Sequence, residues 1–258
     1  MDFSIFTLNL RYSFKRLFAD KAVWLLVIVP MALIVINAVV EDPFVFGDYN
    51  VTASTTMPIF LLAFQFFNMG IMLHYLYHDL KGDMRWRLRA TPNSTLSYVL
   101  PAFTASWLFS VLLGLVIVAA SVLFLGAYLG SLLVTLVVLL LVSLFASFLA
   151  MLLFLFIEKF SLANTLVYVI SFALMILSGM FFSLGDGAFG DFFSQYGTPL
   201  VLGQHAIIYA GGLSDIMLTD LAGTANGTVA VWTNIGILAV ATAVLAAITL
   251  LVARGRRI

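Results

Sequence analysis

The chain has 258 residues, of which 63% are hydrophobic and 9% charged, with a formal net charge of zero and no cysteine. So much apolar surface has no place in a water-soluble domain of this length, and it marks an integral membrane protein. The same inventory excludes a basic nucleic-acid face, disulfides, thiolate nucleophiles, iron–sulfur clusters and cysteine zinc sites.

In chain order, Phe3, Phe6, Leu10, Phe14 and Leu17 recur at helical spacing while Arg11 and Lys15 fall elsewhere. This pattern predicts an amphipathic interfacial helix within 1–21, its phenylalanines turned to acyl chains and its cations to headgroups. The first long apolar run begins too far from Met1 for an ordinary signal peptide, so it is read as an uncleaved span. About 20 apolar residues cross the hydrocarbon, and six stretches qualify: 22–40, 57–77, 101–126, 131–157, 164–183 and 229–253. No charged residue lies between Ala90 and Ile157, so spans three and four must be joined by a tight turn over Gly126 to Gly130, where glycine permits the required backbone angles.

Threaded this way, all 12 lysines and arginines fall on one side. Arg11, Lys15, Arg16 and Lys21 precede span one, Lys81, Arg85, Arg87 and Arg89 follow span two, Lys159 follows span four, and Arg254, Arg256 and Arg257 follow span six. The other side carries Glu41, Asp42, Asp48, Asp186, Asp191, Asp215 and Asp220. The positive-inside rule then places both termini in the cytoplasm. The segment 184–228 contains an uncharged run, but Gln195, Pro199, Gly203, Gln204, His205 and Gly211-Gly212 make it a poor seventh span. Short re-entrant helices dipping in from outside are expected there, covered by protein. The fold expected is therefore an all-α integral membrane domain of six spans with an interfacial N-terminal helix and re-entrant outer helices.

The segment from His78 to Ser94 carries the most specific local pattern. A short basic helix there would place Arg85 and Arg89 on one face, and Pro92 would stop it and redirect the chain. A run of cations beside a membrane usually binds anionic lipid, but the ordered mix of acid, glycine, arginine and closing Thr-Pro exceeds that need. Asp79, Gly82, Leu88, Ala90, Thr91 and Pro92, together with Leu177-Ser178-Gly179-Met180-Phe181-Phe182 and the later Thr198-Pro199-Leu200, resemble the motifs of the membrane-spanning subunit of a type-two ATP-binding-cassette (ABC type-2) exporter. The order of elements is similar along nearly the whole chain. The chain departs from the pattern at Asp79, where glutamate is usual, at Ser183, where proline is, and by one extra residue before Thr91-Pro92.

The resemblance implies a coupling segment formed by Asp79, Gly82, Arg85, Arg89, Thr91 and Pro92, seated in a separate cytoplasmic ABC ATPase, with the N-terminal helix as a second contact. It also implies a second six-span subunit, identical or not, and export of an amphipathic drug, peptide or lipid-linked molecule across the cell membrane. ATP and magnesium would sit on the partner, with no cofactor in this chain. Independently, no lysine stands in a Gly-x-x-x-x-Gly-Lys-Ser/Thr loop, so any ATP must be bound elsewhere.

On span two, Phe60, Phe64 and Phe67 form one stripe and Leu61, Gln65, Asn68 and Met72 the next. Phe60, Phe64, Gln65 and Asn68 are the candidate substrate-pathway residues, the amides because an unpaired one facing lipid is unfavourable. Such a phenylalanine stripe is more commonly core or lipid face. His74 and His78 have metal-ligand spacing but lack a third ligand beyond Asp79, so an interfacial pair is expected in place of a metal site. His205 has no evident triad partner, Glu158-Lys159 is expected to cap span four, and the sequons at Asn50 and Asn226 matter only in a glycosylating host.

Two rival classes remain. A secondary transporter or channel without an ATPase partner usually carries ionisable residues within its spans, and these spans hold no Asp, Glu, Lys or Arg in their interiors. An intramembrane protease needs a nucleophile and a histidine on adjacent spans, and a metal-dependent transferase needs clustered carboxylates. Neither pattern is evident.

Overall fold

The computed structural model describes residues 3–40, 45–46, 49–82, 96–179, 187–212 and 227–255. It is helical apart from one small hairpin, β1 (Val45–Phe46) paired antiparallel with β2 (Tyr49–Asn50). Five of the described helices are long and apolar enough to cross a membrane, six if the bent pair at the N-terminus counts as one span.

That pair is α1 (Phe3–Ala19) and α2 (Lys21–Val40), related by a bend of 54°. Backbone bonds run through the bend, from Asp20 N to Arg16 O at 3.1 Å and from Val23 N to Asp20 O at 3.3 Å. Leu10, Phe14 and Leu17 of α1 pack on Ala105, Phe109 and Leu113 of α5 (Leu96–Leu125). Leu10, Phe14 and Leu17 of the stripe expected to meet acyl chains are thus seated on protein. Leu8, Tyr12 and Phe18 remain exposed beside it.

The centre of the molecule is a single 31-residue span, Val51–Lys81, the most enclosed of the apolar helices. It consists of α3 (Val51–Phe67), α4 (Met69–Leu76) and a π-helical turn over Tyr77–Lys81. It packs against α2 and α5, against α6 (Leu132–Phe156) and α7 (Phe160–Leu177), and against α9 (Pro199–Ala210). It begins six residues before the stretch expected from hydropathy, because its first turns are built from polar residues that satisfy themselves. Asn50 caps the helix by accepting from Ala53 N at 2.9 Å, and the hydroxyls of Ser54, Thr55 and Thr56 donate to carbonyls one turn back.

Span four is α6, within one residue of expectation at each end. Span five, α7, starts four residues earlier than expected. The turn before α6 contains Gly126 and Gly130 at φ of 65° and 62°, the left-handed region that glycine was expected to supply. A side chain on Gly130 would stand 2.2 Å from Gly211 Cα, so this turn lies directly against the end of α9. Asn50 N also donates to Gly126 O at 3.1 Å, and Tyr128 N to Ser54 Oγ at 2.7 Å. The hairpin, the α5–α6 turn and the end of α9 therefore share one end of the bundle.

The segment before the last helix holds α8 (Ala188–Gln195) and α9. Thr198 caps α9 by accepting from Val201 N at 3.1 Å, and Pro199 occupies its first turn. A Cβ on Gly203 would lie 2.6 Å from Leu62 of α3 and 2.9 Å from Val138 of α6. Val138 is six residues into α6, about 9 Å along its axis, so α9 reaches down between the spans from the end where Gly211 meets Gly130. The final helix, α10 (Gly227–Gly255), packs on α6 and α9.

Candidate functional site

At the opposite end of the bundle, the chemistry gathers where the central span stops. The sequence Tyr77-His-Asp-Leu-Lys81 winds as one π turn, closed by Gly82 N donating to Tyr77 O at 2.7 Å. Such a turn rotates side chains out of α-helical register, here sending Asp79 toward α1 and Lys81 toward α6. A Cβ on Gly82 would meet His78 O at 2.7 Å, which explains a residue without a side chain at this closure.

Asp79 Oδ2 accepts from Arg16 Nη1 at 2.8 Å, and its Oδ1 lies 3.2 Å from His78 Nδ1. The Arg16 guanidinium also lies 4.5 Å from the ring centre of Tyr75, whose hydroxyl is 3.4 Å from both the Arg16 carbonyl and Asp20 Oδ2. On the other flank, Lys81 Nζ donates to Phe154 O at 2.7 Å and to Ile157 O at 2.5 Å. Tyr77 Oη donates to the same Ile157 carbonyl at 2.6 Å. These carbonyls are the unsatisfied ones at the C-terminus of α6, where a cation is favoured by the helix dipole. The ammonium also sits 4.7 Å and 4.5 Å from the ring centres of Tyr77 and Phe154. The cap of span four expected from Glu158-Lys159 is thus supplied by Lys81.

Further up the span, Asn68 separates α3 from α4. Its Nδ2 donates to Ser110 Oγ on α5 at 2.8 Å, and that hydroxyl donates to Gln65 Oε1 at 2.6 Å. The relay is buried, and Asn68 Oδ1 has no hydrogen-bond partner within it. Gly114 sits over the relay, since a Cβ there would come within 3.0 Å of Gln65 Nε2 and 2.7 Å of Leu139.

A groove of about 620 Å³ opens between α2, the central span and α7. Its origin is the narrow buried stripe of α7, where Ala163, Val167, Ser171 and Met175 repeat every four residues and leave the neighbouring face uncovered. Phe67 is the floor, tilted on Phe64 at 5.2 Å and edge-on to Phe172 at 5.4 Å, with Tyr168 at 6.1 Å. His74 and Phe160 close the end nearest the junction, 5.7 Å between ring centres. Gly70 keeps the groove open toward Asn164, whose Oδ1 is 3.4 Å from where its Cβ would be.

No protein-family model matches the chain, and the curated proteins compared with it yield no match.

Of the residues singled out from sequence, Phe64 lines the groove. Phe60 is buried in the core. Gln65 and Asn68 face Ser110 and serve helix packing, one of the two roles open to them, so the groove is lined without them. Asp79 and Gly82 stand at the junction. Arg85, Arg89, Thr91 and Pro92 lie outside the described residues, as do Met180 to Ser183 of the second motif. Sequence reasoning missed the α7 wall of Asn164, Tyr168 and Phe172, and it missed the pairing of Arg16 with Asp79. The four-residue repeat of Ala163, Val167, Ser171 and Met175 on α7 was the available signal for the first; nothing local signals the second, which spans 63 residues.

Other candidates resolve into structure. His74 and His78 are 6.4 Å apart ring to ring, and among the described residues no group of three or more metal-ligating side chains comes together. Ser178 Oγ donates to Met175 O at 2.8 Å. Asn50 spends its amide on Ala38 O at 3.2 Å while capping α3.

Proposed function

We propose that this chain is the transmembrane subunit of an ATP-driven exporter of the ABC type-2 kind, moving an amphipathic compound out of the cell. It works beside a second six-span subunit and receives its energy from a separate cytoplasmic ATPase that holds the ATP and magnesium. Both termini and the junction at Asp79 face the cytoplasm of the cell membrane, and α8 and α9 form the re-entrant outer element.

The observation that carries this reading is the junction at the inner end of the central span. Arg16–Asp79 fastens α1 to the most buried helix of the bundle, and Lys81 fastens the same turn to α6. A push on the segment that follows Gly82 would therefore reach α1, the central span and α6 together, because coupling travels through such contiguous rigid contacts. The groove supports the rest: it is aromatic, open along its length, and flanked by the span that the junction moves. An aromatic wall of this kind suits an apolar cargo body. A pathway coupled to protons or sodium usually places carboxylates or basic side chains within the spans, and the described residues lining the groove hold only Asp20, at the bend before α2, and His74 near the end of the central span.

The test is a charge reversal outside the membrane. Arg85→Glu with Arg89→Glu is expected to leave insertion intact and to abolish co-purification with the ATPase and stimulation of its hydrolysis. ATPase binding and transport at wild-type level in that double variant would refute the coupling role.

A further inference from the structure

We infer that the outer surface of the α1–α2 bend is a site for an anionic phospholipid, its tail along α2 and its headgroup on Lys15 and Lys21. Such a site requires only that the chain spans a membrane, and it is independent of the exporter reading.

α1 turns different faces to different surroundings. Leu10, Phe14 and Leu17 lie on α5, and Arg16, on the flank, bonds to Asp79 of the central span. The remaining face carries Leu8, Arg11, Tyr12, Lys15 and Phe18, all exposed and recurring at the spacing of one helix side. No acidic residue occurs in α1, so every formal charge on this face is positive. Long cationic side chains set among rings and aliphatic groups suit the boundary where acyl chains meet phosphate.

α2 decides what that face meets. Trp24, Ile28, Ala32, Val35 and Val39 are exposed and share one side of α2. In a helix that crosses the hydrocarbon, such a side touches acyl chains. It joins the cationic face of α1 at the bend, where the rings of Phe18 and Trp24 are 6.3 Å apart and Phe18 is held edge-on to Phe109 of α5 at 5.0 Å. Lys21 opens α2 and is exposed, and Ile28 lies about 10 Å further along the axis. A tail lying on Trp24 and Ile28 therefore brings its phosphate to the level of Lys21, with Lys15 and Arg11 on the adjoining helix. Trp24, one turn inside these cations, has the placement that an amphipathic ring takes at headgroup level. Asp20, the acid of the bend, engages Tyr75 of the central span at 3.4 Å. A headgroup of net negative charge gains more from the cations than a zwitterionic one, whose own ammonium opposes them.

The chain has no cysteine, so a single one can carry a fluorophore. The full-length protein with Ile28→Cys, labelled with bimane, is reconstituted in bilayers where either phosphatidylglycerol or phosphatidylcholine bears brominated tails. Quenching then gives the relative affinity of the two lipids at that position. Val240→Cys on α10, at a residue that is also exposed, is the reference. Phosphatidylglycerol is expected to be preferred at least about threefold at Ile28, less in high salt, and to compete about equally at Val240. Lys15→Gln with Lys21→Gln should bring the ratio at Ile28 close to that at Val240. The same ratio at both positions in the protein without charge substitutions, as a shell of unselected lipid would give, overturns the inference. So does a label that neither lipid quenches, the result for a face covered by a second copy or by another protein. A preference that survives the double substitution overturns it as well. The comparison of Ile28 with Val240 uses no charge variant and decides the matter if the double variant fails to fold. Failure of an ATPase to couple would remove the exporter reading and leave this site in place.

Discussion

The carboxylate of Asp79 holds the guanidinium of Arg16 at 2.8 Å across 63 residues of sequence, and that contact joins α1 to the C-terminal end of the most buried span. Both side chains are partly exposed, at 43% and 29%. Water therefore screens the pair, and its contribution to stability is at most about 1 kcal/mol. Its value lies in position. Arg16→Ala and Asp79→Asn are each expected to leave thermal stability in detergent nearly unchanged while reducing nucleotide-driven transport severalfold. The exchange Arg16→Asp with Asp79→Arg should recover part of the loss. Transport at wild-type level in both single variants would remove the contact from the mechanism.

Lys81 behaves differently, because the groups it satisfies are the C-terminal carbonyls of α6 and the rings of Tyr77 and Phe154. Lys81→Met keeps the apolar stem but strips the cap, and is expected to lower stability by about 1–3 kcal/mol. Thermal unfolding of the two purified proteins in one detergent measures it. A loss no greater than that of Arg16→Ala would contradict the capping role.

The relay through Ser110 offers a sharper contrast. Ser110→Ala leaves Asn68 Nδ2 and Gln65 Oε1 buried without their partner, a loss of about 1–3 kcal/mol. Replacing the amide as well, Gln65→Leu with Ser110→Ala, should recover part of that loss, since an apolar pair needs no partner. A double-variant cycle on unfolding reads the coupling directly.

Gly203 reports on the seating of α9. Gly203→Ala places a methyl 2.6 Å from Leu62 and 2.9 Å from Val138, and overpacking of this kind typically costs about 1–3 kcal/mol. The expected outcome is lower stability together with faster labelling of single cysteines placed on α9. Unchanged stability and labelling would mean that α9 does not sit between α3 and α6.

Much of this architecture was legible in the sequence because hydropathy and charge segregation are strong, local signals. The helix over 3–19, the glycine turn at Gly126 and Gly130 and the limits of α6 all follow from them. The start of the central span did not, because Thr52, Ser54, Thr55 and Thr56 are polar by composition yet satisfied within their own helix. The candidate site divided the same way. Asp79 and Gly82 stood out by pattern, and Phe64 by periodicity. The roles of Gln65, Asn68 and Lys81 depend on Ser110, Phe154 and Ile157, residues more than forty positions away that periodicity cannot pair with them.

The most direct measurement is flux in reconstituted vesicles, using a panel of hydrophobic dyes and fluorescent lipid analogues, with the chain alone and with the proposed cassette ATPase. Directed transport is expected only when the ATPase and hydrolysable ATP are both present, and none from the chain alone under an imposed proton or sodium gradient. Robust, specific transport by the chain alone would contradict it.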